Sequence, residues 1–397
     1  MTSIMLLSAG SLFLSKSTLL YTGIDILEGV TSIGDYAFCS HTQLGFITFP
    51  SSVTEIGVDA LAYCPALGDI YVADNNPNFS SIEGVLFNKL QTDLILYPSN
   101  RYSDTYTLPP SVTTIENNAF YECNQLTDIT IPEGVTTIFS LAFAYSQNLP
   151  DITIPASVTQ LSSDAFIGCS GLENIYVAAG SLHYSSINGV LFNAAGTSLV
   201  AYPCGRAGGY TVPDNVMEIQ EYAFFRCDQL TDITLPESLS VIHNHAFQFS
   251  NGLKEITFPE GIVSIGSFSF QTCTNLSKIT LPKTLTSIGR RAFYGCPLTD
   301  VYYAGLSLDA IAIDAGNEPL TAAAVHCHSI DFILPDQLTT IESEAFAGIP
   351  AGSFIYVPNT VTEIALDAFD AGTVIVTPAG SYAAGWAAEN GFYCYEQ

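Results

Sequence analysis

Two clusters carry side chains of the types that hold metals. His243-Asn244-His245 lies on a stretch that reads as extended, so both rings can face one side. His326-Cys327-His328 repeats the pattern further along. Neither has an evident third ligand, which a zinc site needs, so both read as polar surface. Asp74-Asn75-Asn76-Pro77-Asn78 is rich in oxygen donors. It lacks the spaced ligands and distal Glu of a calcium loop and reads as a turn. The carboxylates are many, but nothing marks a pair in a cleft, as acid–base work requires. There is no glycine-rich phosphate loop after a strand and no Gly-x-Ser-x-Gly elbow. The expectation is a non-enzyme without cofactor or metal site.

The elements that position these residues come from a chain of 397 residues, 48% hydrophobic and 12% charged. That composition excludes disorder. Ten Lys and Arg stand against 38 Asp and Glu, a net charge of −28. The acid is spread along the chain. Such a field repels nucleic acid and anionic lipid, keeps an apolar protein soluble and favours basic or cation-bridged partners. No apolar run reaches the ~18 residues of a membrane span. Ile4 to Leu14 is mildly apolar but interrupted by serines and Gly10, a poor secretory signal.

The dominant feature is a repeat. Ala-Phe or a close variant recurs at Ala37, Ala60, Ala119, Ala142, Ala165, Ala223, Ala246, Ser269, Ala292, Ala345 and Ala368, and seven of the ten intervals are 23 residues. One unit shows the logic. In Leu230-Thr-Asp-Ile-Thr-Leu-Pro236, Ile233 and Leu235 are two apart and share one strand face. Pro236 has no N–H for a ladder and stops the strand. Val241-Ile242 is a second buried extended stretch, and Ala246-Phe247 follows a polar step. Gly after the second stretch (Gly34, Gly57, Gly266, Gly289) fits close coil-to-coil approach or an unusual backbone angle. One such coil cannot bury its own apolar face; stacked coils bury it in continuous columns.

Cys64, Cys123, Cys169, Cys227, Cys273 and Cys296 all lie three residues after the Phe position. One thiol per coil reads as a small buried residue capping a turn. A bridge between adjacent coils, such as Cys273 with Cys296, is the alternative. Cys39, Cys204, Cys327 and Cys394 lie off this column. Two long intervals, Ile70 to Pro109 and Ile175 to Pro213, are copies of each other, each with a hairpin signal in which Gly-Val-Leu-Phe-Asn precedes Leu-x-x-Tyr-Pro. Residues 301–333 form a third, irregular coil with a turn at Gly316-Asn317-Glu318-Pro319. Residues 381–389 read as a helix ending near Gly391, a cap carrying the sole Trp.

Leu-x-x-Ile-x-Leu-Pro, then Val-x-x-Ile-Gly, then Ala-Phe-x-x-Cys at 23 residues resembles the BspA-type leucine-rich-repeat proteins over roughly residues 24–395. The resemblance implies an α/β repeat solenoid, a right-handed superhelix with one long parallel sheet. It also implies a secreted or surface protein concerned with adhesion, and the family has no shared catalytic residues to carry over. The expected organisation is a lead-in over 1–23, a single solenoid over 24–380 and a cap over 381–397.

The resemblance implies that the strand face lines the concave side, where a partner is expected to bind. Its outward positions form two columns. One holds Phe46, Asp69, Asp128, Asp151, Asn174, Asp232, Glu255, Lys278 and Asp300. The other holds Thr48, Tyr71, Thr130, Thr153, Tyr176, Thr234, Thr257, Thr280 and Tyr302. The threonines suit a strand ladder. The tyrosines offer rigid amphipathic contact area, and the acids suit a basic partner or bridging calcium. Candidate binding residues are therefore Tyr71, Tyr176, Tyr302, Asp69, Asp128, Asp151, Asp232 and Glu255, with the hairpins as the other candidate surface. The expected ligand is a protein or glycan, with host matrix among the candidates, and not nucleic acid; no membrane insertion is expected. The alternative is a structural, self-assembling module.

Overall fold

A computed structural model describes residues 23–305, 307–308, 311–327 and 331–396. The expected lead-in falls almost wholly outside these residues, as does His328. The chain divides into two compact units: residues 1–301 with 311–324, and residues 302–310 with 325–397.

The first unit is a β-solenoid. Each 23-residue coil carries two extended segments and a turn. The first segments pair parallel in register, as in Phe46↔Asp69 and Thr48↔Tyr71, or Glu255↔Lys278 and Thr257↔Thr280. The second segments are two residues long and pair in a ladder of their own, for example Val241↔Ser264 and Ile242↔Ile265. A proline ends the first segment and opens a turn closed by an i+3 amide, as in Val135 N to Pro132 O and Ile262 N to Pro259 O.

The expected single long sheet is instead a set of short ones. Two causes are visible. At the duplicated long coils the Ile70 and Ile175 amides donate to Gly84 O and Gly189 O of the hairpins, which take the seat of the next strand. At Pro150 the missing N–H removes the bond that Thr127 makes to Asp104 O one coil earlier. The longer ladders are those of the second segments, in six- and eight-stranded sheets.

Each hairpin is a three-stranded meander: Phe79–Ile82, Val85–Asn88 and Asp93–Leu96, repeated as Tyr184–Ile187, Val190–Asn193 and Ser198–Ala201. The third strand then rejoins the short-segment ladder, Leu94 beside Ile115 and Leu199 beside Ile219.

The core is a stack of rings. Phe224, Phe247, Phe270 and Phe293 are fully buried and nearly parallel, with centroids 4.6, 4.8 and 5.3 Å apart. The step matches the spacing of hydrogen-bonded strands. Tyr97 and Tyr202 occupy the same column, stacked on Phe120 and Phe224. Each of the two duplicated intervals thus contains a hidden coil in which Leu96-Tyr97 or Ala201-Tyr202, followed by proline, stands where other coils have Ala-Phe. In the third long interval, the helix Glu318–Ala322 replaces the turn, flanked by Asn317 and opened by Pro319, and it buries Leu320. The expected turn there is the start of this helix.

The Ala-Phe turn has an unusual backbone. The residue before Ala and the second residue after Phe both have positive φ in most coils: Tyr36 and Ser40, Asn118 and Glu122, His245 and Phe249, Phe268 and Thr272. With a left-handed residue at each end of the turn, every second amide points to the next coil. Tyr36, Phe38 and Ser40 donate to Val58 O, Ala60 O and Ala62 O. The turn thereby forms a strand-like ladder without extended residues. The glycines of the Ile-Gly pairs serve close approach instead. A Cβ on Gly266 or Gly289 would lie 2.6 or 2.5 Å from the backbone of the preceding coil.

The thiols of Cys64, Cys169, Cys273 and Cys296 donate to the carbonyls of Phe38, Phe143, Phe247 and Phe270, at 3.0–3.1 Å. Ser146 does the same to Phe120 O at 2.7 Å. The buried-residue reading therefore holds for these cysteines. It fails at Cys227, which forms a disulfide with Cys204, 23 residues away. Cys204 sits only two residues after the ring of its coil, and Pro203 supplies the offset.

In the second unit Phe354–Tyr356, Val374–Thr377 and Tyr393–Glu396 pair parallel. The helix Tyr382–Asn390 is capped by Ser381 and ended by Gly391 at φ 76°, as the sequence predicts. Trp386 packs on Phe369 and Phe392 within this unit's own core.

Candidate recognition face and family

The outward strand positions fall where the alternation of the strands puts them. Asp128, Asp151, Asp232 and Glu255 are exposed, and Asp69 is half-buried. They do not form one acidic stripe. Lys278 Nζ lies 3.2 Å from Glu255, so that carboxylate is partnered across the ladder. Asn174 Nδ2 donates to Asp151 at 2.7 Å, and the Thr231 hydroxyl donates to Asp232 at 2.7 Å. Asp128 faces Thr105 in register.

Tyr71 and Tyr176 hold equivalent positions in the two long coils and are 47% and 45% exposed. That is high for residues that could be spared from solvent by any smaller strand former. Tyr71 rests edge-on against Phe46, at 6.1 Å, and Tyr176 pairs with Thr153. In the second unit Tyr302 is 38% exposed and stacks on His326 at 4.6 Å.

The tyrosines and the hairpins, two separate candidates in the sequence, meet in the fold. Each hairpin lies beside the strand bearing its tyrosine, with Val72 N donating to Ser81 Oγ and Ser186 Oγ donating to Ile175 O. An arginine holds each hairpin tip. Arg101 donates to Glu83 O and faces Asp69 at 3.5 Å. Arg206 donates to Asn188 O at 2.6 Å and to Asn174 Oδ1 at 3.2 Å. Two of the ten basic residues thus perform one task twice. Sequence reasoning passed over them, although Tyr-Pro-x-x-Arg at Tyr97–Arg101 and Tyr202–Arg206 carried the signal.

The histidine pair does not converge. His243 Nε2 faces Glu218 at 3.6 Å, whereas His245 sits in the left-handed turn, stacked between Tyr222 and Phe268 at 5.0 Å from each. The extended reading fails there because the turn begins at that point. Among the described residues no three His, Cys, Asp or Glu side chains gather as metal ligands, and no helix is long and apolar enough to cross a membrane.

The model of the BspA type leucine-rich repeat region matches residues 13–100, 97–204, 201–315 and 321–377, nearly the whole chain. The chain belongs to this BspA-type leucine-rich-repeat family. No curated protein matches it. Among solved structures, this BspA-type chain is similar to a leucine-rich cell surface protein from Faecalibacterium prausnitzii. The identity is 27% and the TM-score 0.53, with 76% of this chain and 93% of that one covered. It also shares the fold of the pneumococcal vaccine antigen PcpA, at 18% identity and a TM-score of 0.50, covering 98% and 82% of the two chains.

Proposed function

We propose that this BspA-type repeat protein is a non-catalytic recognition protein of the cell surface, binding a protein or glycan through the strand face beside its two hairpins. The observation that carries this reading is the paired exposure of Tyr71 and Tyr176. The same large amphipathic ring stands out at the same place in both copies of the long coil, each time beside an arginine-clamped hairpin. A rigid aromatic next to an ordered loop suits binding, because little conformational freedom is lost on contact. Asp128, Asp151 and Asp232 add an acidic margin that favours a basic ligand or a calcium bridge, whereas Asp69 and Glu255 already face Arg101 and Lys278. Two observations support an extracellular setting. The similar F. prausnitzii chain is a cell surface protein. The bridge between Cys204 and Cys227 is of a kind that persists in oxidising compartments. The coils are taken to wind right-handed, in keeping with the twist of their strands.

The test is binding to immobilised matrix proteins and glycans, with and without calcium. The Tyr71→Ala, Tyr176→Ala, Tyr302→Ala variant is expected to lose at least about tenfold in affinity, the scale of one aromatic hot spot, with an unchanged melting curve. Wild-type binding that survives in the variant would remove the tyrosines from the site. No binding across the panel, together with concentration-dependent self-association, would replace recognition by an assembly role.

A further inference from the structure

The duplicated long coil provides its own comparison, because its two copies fasten the same arginine loop in different ways. In the first copy side chains tie the loop over residues 98–101 to the preceding coil. Ser99 Oγ donates to Cys64 O at 3.1 Å, and Asn100 Nδ2 donates to Ala66 O at 3.3 Å. Arg101 then meets two carboxylates at the hairpin, Asp69 at 3.5 Å and Glu83 at 3.4 Å.

The second copy has replaced all four of these partners. Cys204 stands for Ser99, Gly205 for Asn100, Asn174 for Asp69 and Asn188 for Glu83. The backbone tie is kept: Gly205 N donates to Leu172 O at 2.8 Å, as Asn100 N does to Leu67 O at 2.9 Å. A side chain at 205 is excluded, since a Cβ there would lie 2.6 Å from the backbone of Gly171. Arg206 meets only neutral oxygens at its hairpin, Asn188 O and Asn174 Oδ1. An arginine gains less from neutral acceptors than from carboxylates. What this copy has instead is the bond between Cys204 and Cys227, whereas Cys123, the equivalent of Cys227, is a free thiol. The bond lies two residues from Arg206 and pins its loop to the following coil.

We propose that the second hairpin owes its order to this bond and the first does not, so that the Tyr176 half of the strand face is completed only where thiols are oxidised. The bond forms when the two thiols pass two electrons to a small disulfide such as oxidised glutathione, which leaves as two thiols with the two protons. Both cysteines are buried, so a reductant reaches the bond only when the coils open. The state set at folding is therefore the state kept. A chain folded in a reducing compartment carries an ordered hairpin beside Tyr71 and a loose one beside Tyr176. The bearing on Tyr176 as a contact rests on the recognition reading above; the fastening of the hairpin does not.

Hydrogen exchange of the whole chain reads both hairpins at once, over residues 79–88 and 184–193. Cys204→Ala is expected to speed exchange at 184–193 about tenfold or more and to leave 79–88 as in the wild type. Wild type kept under dithiothreitol from lysis onward is expected to match the variant, and takes its place if Cys204→Ala melts early. Adding Asn174→Asp and Asn188→Glu to Cys204→Ala supplies the carboxylates of the first copy and is expected to restore most of the protection. Unchanged exchange at 184–193, or equal speeding of both hairpins, would overturn the proposal. So would a triple variant that exchanges as fast as Cys204→Ala, because the bond would then not be standing in for the charged clamp. The readout needs no ligand, so failure of the recognition reading on the matrix and glycan panel leaves this result untouched.

Discussion

At the scale of single residues the left-handed turn positions matter most. Thr272 is β-branched and held at φ 57°, a conformation that costs an L-residue about 1–2 kcal/mol. One coil later the same position is Gly295, and in other coils it is Gly168 and Gly348. Thr272→Gly is therefore expected to stabilise the protein by about 1 kcal/mol, read as a higher urea midpoint at constant slope. The positions were not legible in the sequence, because Tyr, Asn, Glu, Leu, Phe and Thr occupy them more often than glycine does. What holds them is the ladder of amides to the next coil, a tertiary cause that composition does not record. The disulfide was hidden for a similar reason. Cys204 follows its ring by two residues and Cys227 by three, so the sequence placed them in different columns. The core, by contrast, was readable: Phe247, Ile242 and Leu253 stand where their spacing put them, all fully buried.

At the scale of the element, most coils of the first unit close with a thiol or hydroxyl that bonds back to the ring residue of the preceding coil. The column of thiols gives this a direct readout. Burial raises the thiol pKa of Cys64 to about 11 and of Cys169 to about 12, and moves Cys123 and Cys273 well above their ordinary value. Buried, protonated thiols are poor nucleophiles. Ellman titration of the native protein at pH 8 is expected to modify Cys39, Cys327 and Cys394, which are partly exposed, and to spare the five buried thiols. All eight react after denaturation without reductant, whereas Cys204 and Cys227 react only after reduction. Ten reactive thiols in the unreduced denatured chain would dissolve the bridge. The hairpins were half legible. Their strands Val85–Asn88 and Asp93–Leu96 carry short apolar runs, Val-Leu-Phe and Leu-Ile-Leu, that read as buried strands, but Phe79–Ile82, with two serines at its centre, is too polar to announce itself.

At the scale of the molecule, stability in a solenoid is a sum over neighbours. In the first unit the ring stack runs through this sum, each buried Phe packed on the next. Phe247→Ala, in the middle of the run Phe224 to Phe293, is expected to cost about 3–5 kcal/mol, because its neighbours are held by their own ladders and cannot collapse into the gap. Hydrogen exchange is expected to show the loss concentrated in the coils between residues 224 and 296, with the coils before Pro150 keeping their protection. Uniform loss across the unit would show that the array folds as one cooperative block. The period itself has a further consequence. Thr136 bonds to Thr113 O, Thr159 to Thr136 O and Thr286 to Val263 O, each 23 residues back along the chain. Removing or doubling any whole number of such steps restores every donor to an equivalent acceptor. Unequal recombination within the gene can therefore lengthen or shorten the protein without a misfolded intermediate. The two long coils, matching at their tyrosines and arginines yet divergent at Leu61 and Phe166, are what one such duplication leaves behind once its two products are free to change.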